Sequence, residues 1–208
     1  MSALPATVVL FAVLLGTSFP AHSTEFEVSF PAELESRPLD GRIILMLSTS
    51  AEDEPRFQVR PGVGAIQILG VDGAGLPPGD TVRIDATVFG YPIDSLDKLP
   101  SGSYQIQALL HRYETFHRAD GHTVKLPMDR GEGQQWNRAP GNLYSTPREI
   151  VFDPDGDELV TIELARVIHP IDPPEDTEHI RHIRIKSELL CEFWGRPMYL
   201  GAHVLLPH

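Results

Sequence analysis

Three residues near the middle of the chain have side chains that could ligate a metal. His117, Asp120 and His122 lie in one short segment, and imidazole and carboxylate groups bind zinc and other transition metals. Their spacing matches no standard metal site, and Asp120-Gly121 is typical of a hairpin turn. We therefore expect hydrogen bonds that anchor a turn, or contacts with a ligand or a neighbouring domain. We predict no metal ion and no cofactor.

A second group of candidate contact residues follows in the same region. Trp136, Asn142 and Tyr144 combine aromatic rings with an amide, a set that could stack on a sugar ring or on an apolar ligand. The same aromatic rings could instead plug the open end of a β-sandwich. The sequence leaves both interpretations open.

Other clusters of ligating residues lack the spacing of a binding site. Asp153, Asp155 and Asp157 surround a glycine, but the glycine and glutamate positions of an EF-hand are not met, which favours an acidic turn between strands. His179 and His182 are three residues apart, and on a strand they would face opposite sides. Neither cluster is expected to hold a metal.

Catalytic motifs are absent from the sequence. There is no G-x-S-x-G elbow, H-E-x-x-H, P-loop or G-x-G-x-x-G. The single cysteine, Cys191, is expected to be a small buried hydrophobic residue. We predict no catalytic residue; because triads are assembled in space, an unrecognised enzyme site stays an alternative.

The elements that must position these residues are predominantly strands. Short apolar or alternating runs separated by Gly/Pro turns predict an antiparallel, Ig-like β-sandwich, a mainly β fold. Asp72-Gly73 is interpreted as one of the turns, and Ser95–Leu99 as a short helical turn. The predicted strands are Phe26–Phe30, Arg42–Ser48, Val82–Phe89, Ser103–Arg112, Arg148–Phe152 and Leu159–Leu164.

Residues 113–147 interrupt this pattern with a long segment of loop composition. Loops of this length in a compact domain are usually functional or disordered. Its aromatic residues favour docking on the domain over disorder.

Composition excludes several functions. The chain has 208 residues, a formal net charge of −12 and 19 prolines. This acidity argues against a nucleic-acid or anionic-membrane binder, which would need an excess of Lys and Arg. The proline content is hard to fit into a helical bundle. One cysteine excludes a disulfide framework.

The first 23 residues are predicted to be a signal peptide. They contain no charged side chain, and an apolar run ends before Ala21-His22-Ser23, a small-residue cleavage pattern. Cleavage after Ser23 would leave a secreted or periplasmic bacterial protein without a stable membrane anchor. The absence of a basic residue before the apolar run keeps an uncleaved anchor, or a misassigned start codon, open as alternatives.

The remaining chain is divided into three parts. We assign 24–168 to the β-sandwich, 169–178 to a proline-rich linker and 179–208 to a C-terminal β-hairpin. The predicted hairpin strands are His182–Leu190 and Met198–Leu206, joined by a turn at Phe193–Pro197.

Four stretches resemble a known family. Leu99–Leu110, Phe116–His122 and Gly133–Ser145 look like the N-terminal β domain of bacterial secreted esterases. In that family the β domain precedes an α/β-hydrolase domain of the esterase D type. The tail, Ile185–Pro207, resembles the opening hairpin of the hydrolase domain.

The resemblance implies a specific function. It implies a non-catalytic accessory domain of a secreted carboxylic-ester hydrolase, with the hydrolase body, and every catalytic residue of the family, missing from this sequence. The implied partner is that hydrolase domain. The alternative is a free-standing extracellular β-sandwich that binds a ligand or a carbohydrate.

Overall fold

The structure, a computed structural model, describes residues 24–207. The predicted signal peptide at residues 1–23 lies outside the described residues. Among the described residues no helix is long and apolar enough to cross a membrane.

Strands dominate the described chain. The strands, in chain order, are β1 (Glu25–Ser29), β2 (Leu39–Ser48), β3 (Gln67–Leu76), β4 (Val82–Ile84), β5 (Gly90–Tyr91), β6 (Gly102–Arg112), β7 (Glu114–His117), β8 (Thr123–Leu126), β9 (Leu143–Tyr144), β10 (Arg148–Phe152), β11 (Leu159–Glu163), β12 (Arg166–Val167), β13 (Ile180–Lys186) and β14 (Tyr199–Leu205). The helices are α1 (Pro55–Gln58), the 3-10 turn Leu96–Lys98 and α2 (Glu188–Trp194).

Two sheets pack face to face around one hydrophobic core. A three-stranded sheet has the order β11-β1-β4, and a seven-stranded sheet has the order β12-β9-β6-β2-β3-β5, with β10 also paired to β6. Side chains of a strand alternate between its two faces. In β2, Ile43, Leu45 and Leu47 therefore enter the core together, and they meet Phe26 and Val28 of the opposite sheet.

The predicted mainly β sandwich is confirmed, and the pairing is antiparallel with one exception. Strands β1 and β11 run parallel, with Phe26 opposite Val160. The long connection between them leaves room for a crossover, which a parallel pair requires.

Two strand predictions differ from the structure. Asp72-Gly73 was expected to be a turn but lies inside β3, where Asp72 is paired with Arg42 of β2. The register shifts between Leu39 and Gly41, so the Gly-rich end of β3 is accommodated by an irregularity. Strand β4 ends at Ile84, which leaves the predicted strand residue Phe89 in an exposed loop.

The C-terminal hairpin is present, but its connection is not the simple turn that was predicted. Strands β13 and β14 are antiparallel, with Ile180 opposite Leu205. The predicted strand His182–Leu190 ends at Lys186, and its last three residues belong to α2, which joins the two strands. The Ser187 hydroxyl caps α2 by accepting from the backbone N–H of Leu190. Gly195 ends the helix in the left-handed conformation, at φ 64°. We call β13, α2 and β14 together the C-terminal unit.

Candidate functional site

The first half of the long segment folds as a hairpin. Strands β7 and β8 are antiparallel, and Arg118 donates its backbone N–H to the carbonyl of His122 across the turn at 2.9 Å. Gly121 takes a positive φ of 83°, which a residue with a side chain rarely adopts. We call this hairpin, Glu114–Leu126, the finger.

The first three candidate residues lie at the tip of the finger but do not converge on one point. The His117 ring is hydrogen-bonded through Nδ1 to Thr123 Oγ1 at 3.1 Å. Asp120 pairs with Arg118 and accepts from the backbone N–H of His122 at 3.2 Å, and its carboxylate also lies 3.2 Å from Nδ1 of the His122 ring. Within residues 24–207 no group of three His, Cys, Asp or Glu side chains is arranged to hold a metal ion. The geometry is that of residues anchoring a turn.

The second half of the segment lies on the outer face of the seven-stranded sheet. This face carries Met46 and Leu109, which are fully buried but lie outside the central core. They are on the same face of the sheet as Tyr144, because Leu109 is opposite Tyr144 in the β6–β9 pairing. Helix α1 and the loop before β9 form the layer beside them.

Arg56 holds this outer layer together. Its guanidinium stands 4.2 Å from the ring centroid of Phe57 and 4.3 Å from that of Tyr144. It also donates to Glu54 Oε2 at 2.7 Å and to the carbonyl of Asn137 at 3.0 Å. The Asn137 amide donates back to the carbonyl of Arg56 at 2.9 Å. Tyr144 is therefore one wall of a packed arginine site.

Electrostatics stabilise the charged form of the carboxylate in this layer. Burial alone would raise the pKa of Glu54, but hydrogen bonds from Arg56 and Gln107 outweigh it and hold the pKa below its usual value. Gln107 is fully buried and donates both to Glu54 at 2.8 Å and to the carbonyl of Ser145 at 3.0 Å. The network connects α1, β6 and the end of the long loop.

Asn142 has a structural position. It is 1% exposed, and its Oδ1 accepts from the backbone N–H of Arg112 at 3.0 Å. Its Nδ2 donates to the carbonyl of Trp136 at 2.7 Å. The side chain is buried with two backbone partners, so it fixes the course of the loop and holds the backbone of Trp136.

Trp136 lines a cavity on the same outer face. The half-buried indole forms part of a space of about 250 Å³, together with Phe89 and Tyr91 from the β4–β5 region. Ile44 and Ile68 face this space from β2 and β3. The structure thus brings Trp136 together with aromatic residues that the sequence did not associate with it.

A histidine lies on the same sheet face as this cavity. His111 is opposite Arg42 in the β2–β6 pairing, and its ring contacts that of Tyr113 at a centroid distance of 5.7 Å. Burial lowers the pKa of His111, and the nearby carboxylate of Glu132 only partly offsets this. The imidazole is therefore held neutral over a wider pH range than in an unfolded chain.

The finger is the attachment point of the C-terminal unit. The carbonyl of Phe193 accepts from the backbone N–H of Ala119 at 2.8 Å, and the Trp194 ring meets Phe116 edge to face at 5.4 Å. Arg196 donates to Glu114 at 2.5 Å, and the same carboxylate also pairs with Arg130 of the long loop. The finger therefore contacts α2 and the loop at once.

A close approach of backbone explains why α2 ends in glycine. A Cβ on Gly195 would lie 3.0 Å from the carbonyl oxygen of His117. Any side chain there would be strained by the positive φ and would also push the finger away. The finger residues predicted to make interdomain contacts thus lie beside the C-terminal unit of the same chain.

The remaining ligating clusters have local partners. Asp153 Oδ1 accepts from the backbone N–H of Asp155 at 3.1 Å in the turn that connects β10 to β11. His182 pairs with Asp176 at 3.2 Å and its ring faces that of His203 on the neighbouring strand at 4.5 Å. Cys191 is half-buried rather than buried, and its sulfur accepts from the backbone N–H of Met198 at 3.1 Å.

Comparison with known protein families, with characterised proteins and with solved structures finds no match for this chain. Function therefore has to be inferred from the residues and their geometry.

Proposed function

We propose that this chain is a non-catalytic accessory module of a secreted carboxylic-ester hydrolase. In this proposal the C-terminal unit is the surface on which an esterase-type hydrolase domain packs. The observation that carries the proposal is the exposed apolar face of the β13–β14 sheet, together with the resemblance of Ile185–Pro207 to the start of such a domain.

The two faces of this small sheet differ in chemistry. The pairing places Ile183 opposite Ala202 and Ile185 opposite Leu200, so these four residues share one face. Ile183, Ile185 and Leu200 are 41%, 58% and 54% exposed. Contiguous exposed apolar residues of this kind mark interaction surfaces. The opposite face carries His182, Arg184 and Lys186 together with Tyr199 and Leu205, and Arg181 lies at one end of the apolar face.

The sheet is held in a fixed position, which a docking surface requires. An isolated two-stranded hairpin is marginally stable in water. Here the contacts of Trp194 and Arg196 with the finger attach it to the sandwich. A partner that packs on the apolar face would therefore be oriented relative to the sandwich at little entropic cost.

The test begins with the coding sequence next to the codon for His208, which we expect to encode a hydrolase domain with a G-x-S-x-G motif. Co-expressed with this chain, that domain should form a one-to-one complex on light-scattering chromatography. The complex should hydrolyse p-nitrophenyl acetate, and the chain alone should not.

The apolar face provides the decisive variant. Ile185→Glu combined with Leu200→Glu should abolish the complex, because two charges would be buried against apolar surface. The matched control is Val151→Glu, a similar change at a residue of the sandwich that is 76% exposed. A complex that survives the double variant, or the lack of any hydrolase sequence in that neighbourhood, would overturn the proposal.

A further inference from the structure

The cavity beside Trp136 is separate from the C-terminal unit and has the make-up of a binding site. It has a volume of about 250 Å³ and lies on the outer face of the seven-stranded sheet. Small-molecule sites are typically concave and apolar, with a few polar groups at their edge. The residues that matter here are Phe89, Tyr91, Trp136, Ile44, Ile68 and Arg42.

Two aromatic rings at this cavity are exposed to water, although they could have packed on the apolar surface beside them. Phe89 is 75% exposed and Tyr91 is 44% exposed. Ring surface of this size left in water is unfavourable, and it commonly marks a site where another molecule covers it.

The Tyr91 ring and the backbone of Trp136 are held in place before any ligand arrives. The Tyr91 hydroxyl accepts from the backbone N–H of Gly62 at 3.3 Å. The backbone of Trp136 is fixed by the Asn142 amide at 2.7 Å. A preformed site of this kind loses little conformational entropy on binding.

The polar edge of the cavity is built around Arg42. Its guanidinium donates to Asp72 at 2.8 Å and to the carbonyl of Gly70 at 2.9 Å. It lies so close to the backbone that a Cβ on Gly70 would be 2.6 Å from its Nε. A side chain at position 70 would therefore displace the guanidinium of Arg42 from this position.

The charges at this edge indicate the class of ligand. Asp72 compensates the charge of Arg42, so the cavity edge offers a hydrogen-bond donor without a net charge. A net charge of −12 on the whole chain repels polyanions. The ligand that fits is neutral, with an apolar face for the rings and hydroxyl groups for the edge.

We propose that this cavity binds a neutral sugar unit of a glycan. The C–H face of a pyranose ring packs against the rings of Trp136 and Phe89, and its hydroxyl groups bond to Arg42. The inference does not depend on the proposed hydrolase partner, because the two surfaces share no residue.

The first experiment titrates the full chain with soluble probes. The probes are cellohexaose, xylohexaose, mannohexaose and, as an acidic comparison, hexagalacturonate. In a Trp194→Phe background Trp136 is the remaining tryptophan, so its fluorescence reports the site. At least one neutral hexasaccharide should give a saturable change, and hexagalacturonate should bind more weakly.

Variants at the cavity then locate the binding. Phe89→Ala should weaken the best neutral sugar at least tenfold and leave the thermal unfolding temperature nearly unchanged, because the side chain is mostly in water. Trp136→Phe, which preserves an aromatic ring, should weaken it less than Trp136→Ala. Tyr199→Ala, at an aromatic residue of the C-terminal unit that is 46% exposed, is the matched control and should bind normally.

Four results would overturn the assignment. The first two are that none of the three neutral hexasaccharides binds, and that hexagalacturonate binds more tightly than they do. The other two are an unchanged sugar affinity in Phe89→Ala, and binding of an apolar probe such as p-cresol by a chain that binds no sugar. Loss of a dimer in Phe89→Ala, measured by sedimentation, would likewise refute it, because the face would then be an interface between two copies.

Discussion

Replacing Arg56 by alanine tests whether the outer layer is held by one residue. The residue is 9% exposed, and the variant loses four interactions at once: hydrogen bonds to Glu54 and to the carbonyl of Asn137, and stacking on Phe57 and Tyr144. Because α1 and the long loop meet at this guanidinium, we expect the free energy of unfolding to fall markedly.

The magnitude follows from the individual contacts. Hydrogen bonds to a charged group contribute about 1.5–3 kcal/mol each. Each cation–π contact adds about 0.5–1 kcal/mol. Glu54 has a side-chain exposure of 36%, so its carboxylate regains water in the variant and part of the loss is recovered. We therefore expect a net loss of about 3 kcal/mol, a large share of the 5–15 kcal/mol typical of a domain.

The measurement is urea unfolding followed by far-UV circular dichroism, with linear extrapolation to water. The matched control is Arg138→Ala. Arg138 is exposed and lies 5.3 Å from the Phe57 ring, so its loss should cost less than about 1 kcal/mol. Arg56→Lys keeps the charge but not the planar group, and should fall between these two variants.

A double-mutant cycle separates the contribution of the Arg56–Glu54 ion pair from the other contacts of Arg56. Combining Arg56→Ala with Glu54→Gln should reveal a coupling free energy of at least about 1 kcal/mol, because the two groups share a direct hydrogen bond. A loss below about 1 kcal/mol for Arg56→Ala, or one equal to that of Arg138→Ala, would refute the reasoning.

Three further predictions concern titration and attachment. Burial lowers the pKa of His111, so its contribution to stability is complete above the unfolded value of about 6.5 and declines as the pH falls below it. The urea midpoint should drop less between pH 8 and 5.5 in His111→Gln than in the parent chain; equal drops would contradict this. The hydrogen bond from Arg37, with help from Arg112, lowers the pKa of Glu35 from 4.5 to about 2. Glu35 therefore stabilises the fold above pH 4.5 and loses that effect as the pH falls toward 2. The loss should be about 1 kcal/mol after allowance for the exposure of Arg37. Glu35→Gln should flatten the acid-unfolding curve in that range, and an unchanged curve would argue against the ion pair. Trp194→Ala should speed amide hydrogen exchange in β13 and β14 without changing β2 and β6, and equal acceleration everywhere would show that the C-terminal unit is not separately attached.

Strand prediction succeeded where the hydrophobic pattern was simple. Arg148–Phe152 was predicted with the bounds that β10 has in the structure, because an apolar run at its end is bounded by recognisable turn residues on both sides. Strand β3 was missed because Asp72-Gly73 is also a strong turn signal. Its partner Arg42 lies 30 positions away in the chain and stabilises Asp72 within the strand.

Among the candidate residues, too, prediction succeeded where the contacts are local in sequence and failed where they join distant segments. His117, Asp120 and His122 were recognised as a cluster because they are close in sequence, and local turn geometry decides their hydrogen bonds. Arg56 and Phe89 carried no sequence signal. The α1 sequence is only four residues long and shows no helical period, and Phe89 was predicted as the last residue of an alternating strand.

The sequence alone determined the fold class, the turn at the finger tip and the two strands of the C-terminal hairpin. These depend on side-chain periodicity and on turn residues, which act over a few positions. Tertiary structure decided which residues meet. Arg56 contacts Asn137 across 81 positions, and the Trp136 cavity is assembled from five separate segments. Such contacts are set by the packing of whole elements on a sheet face, and local sequence patterns do not encode them.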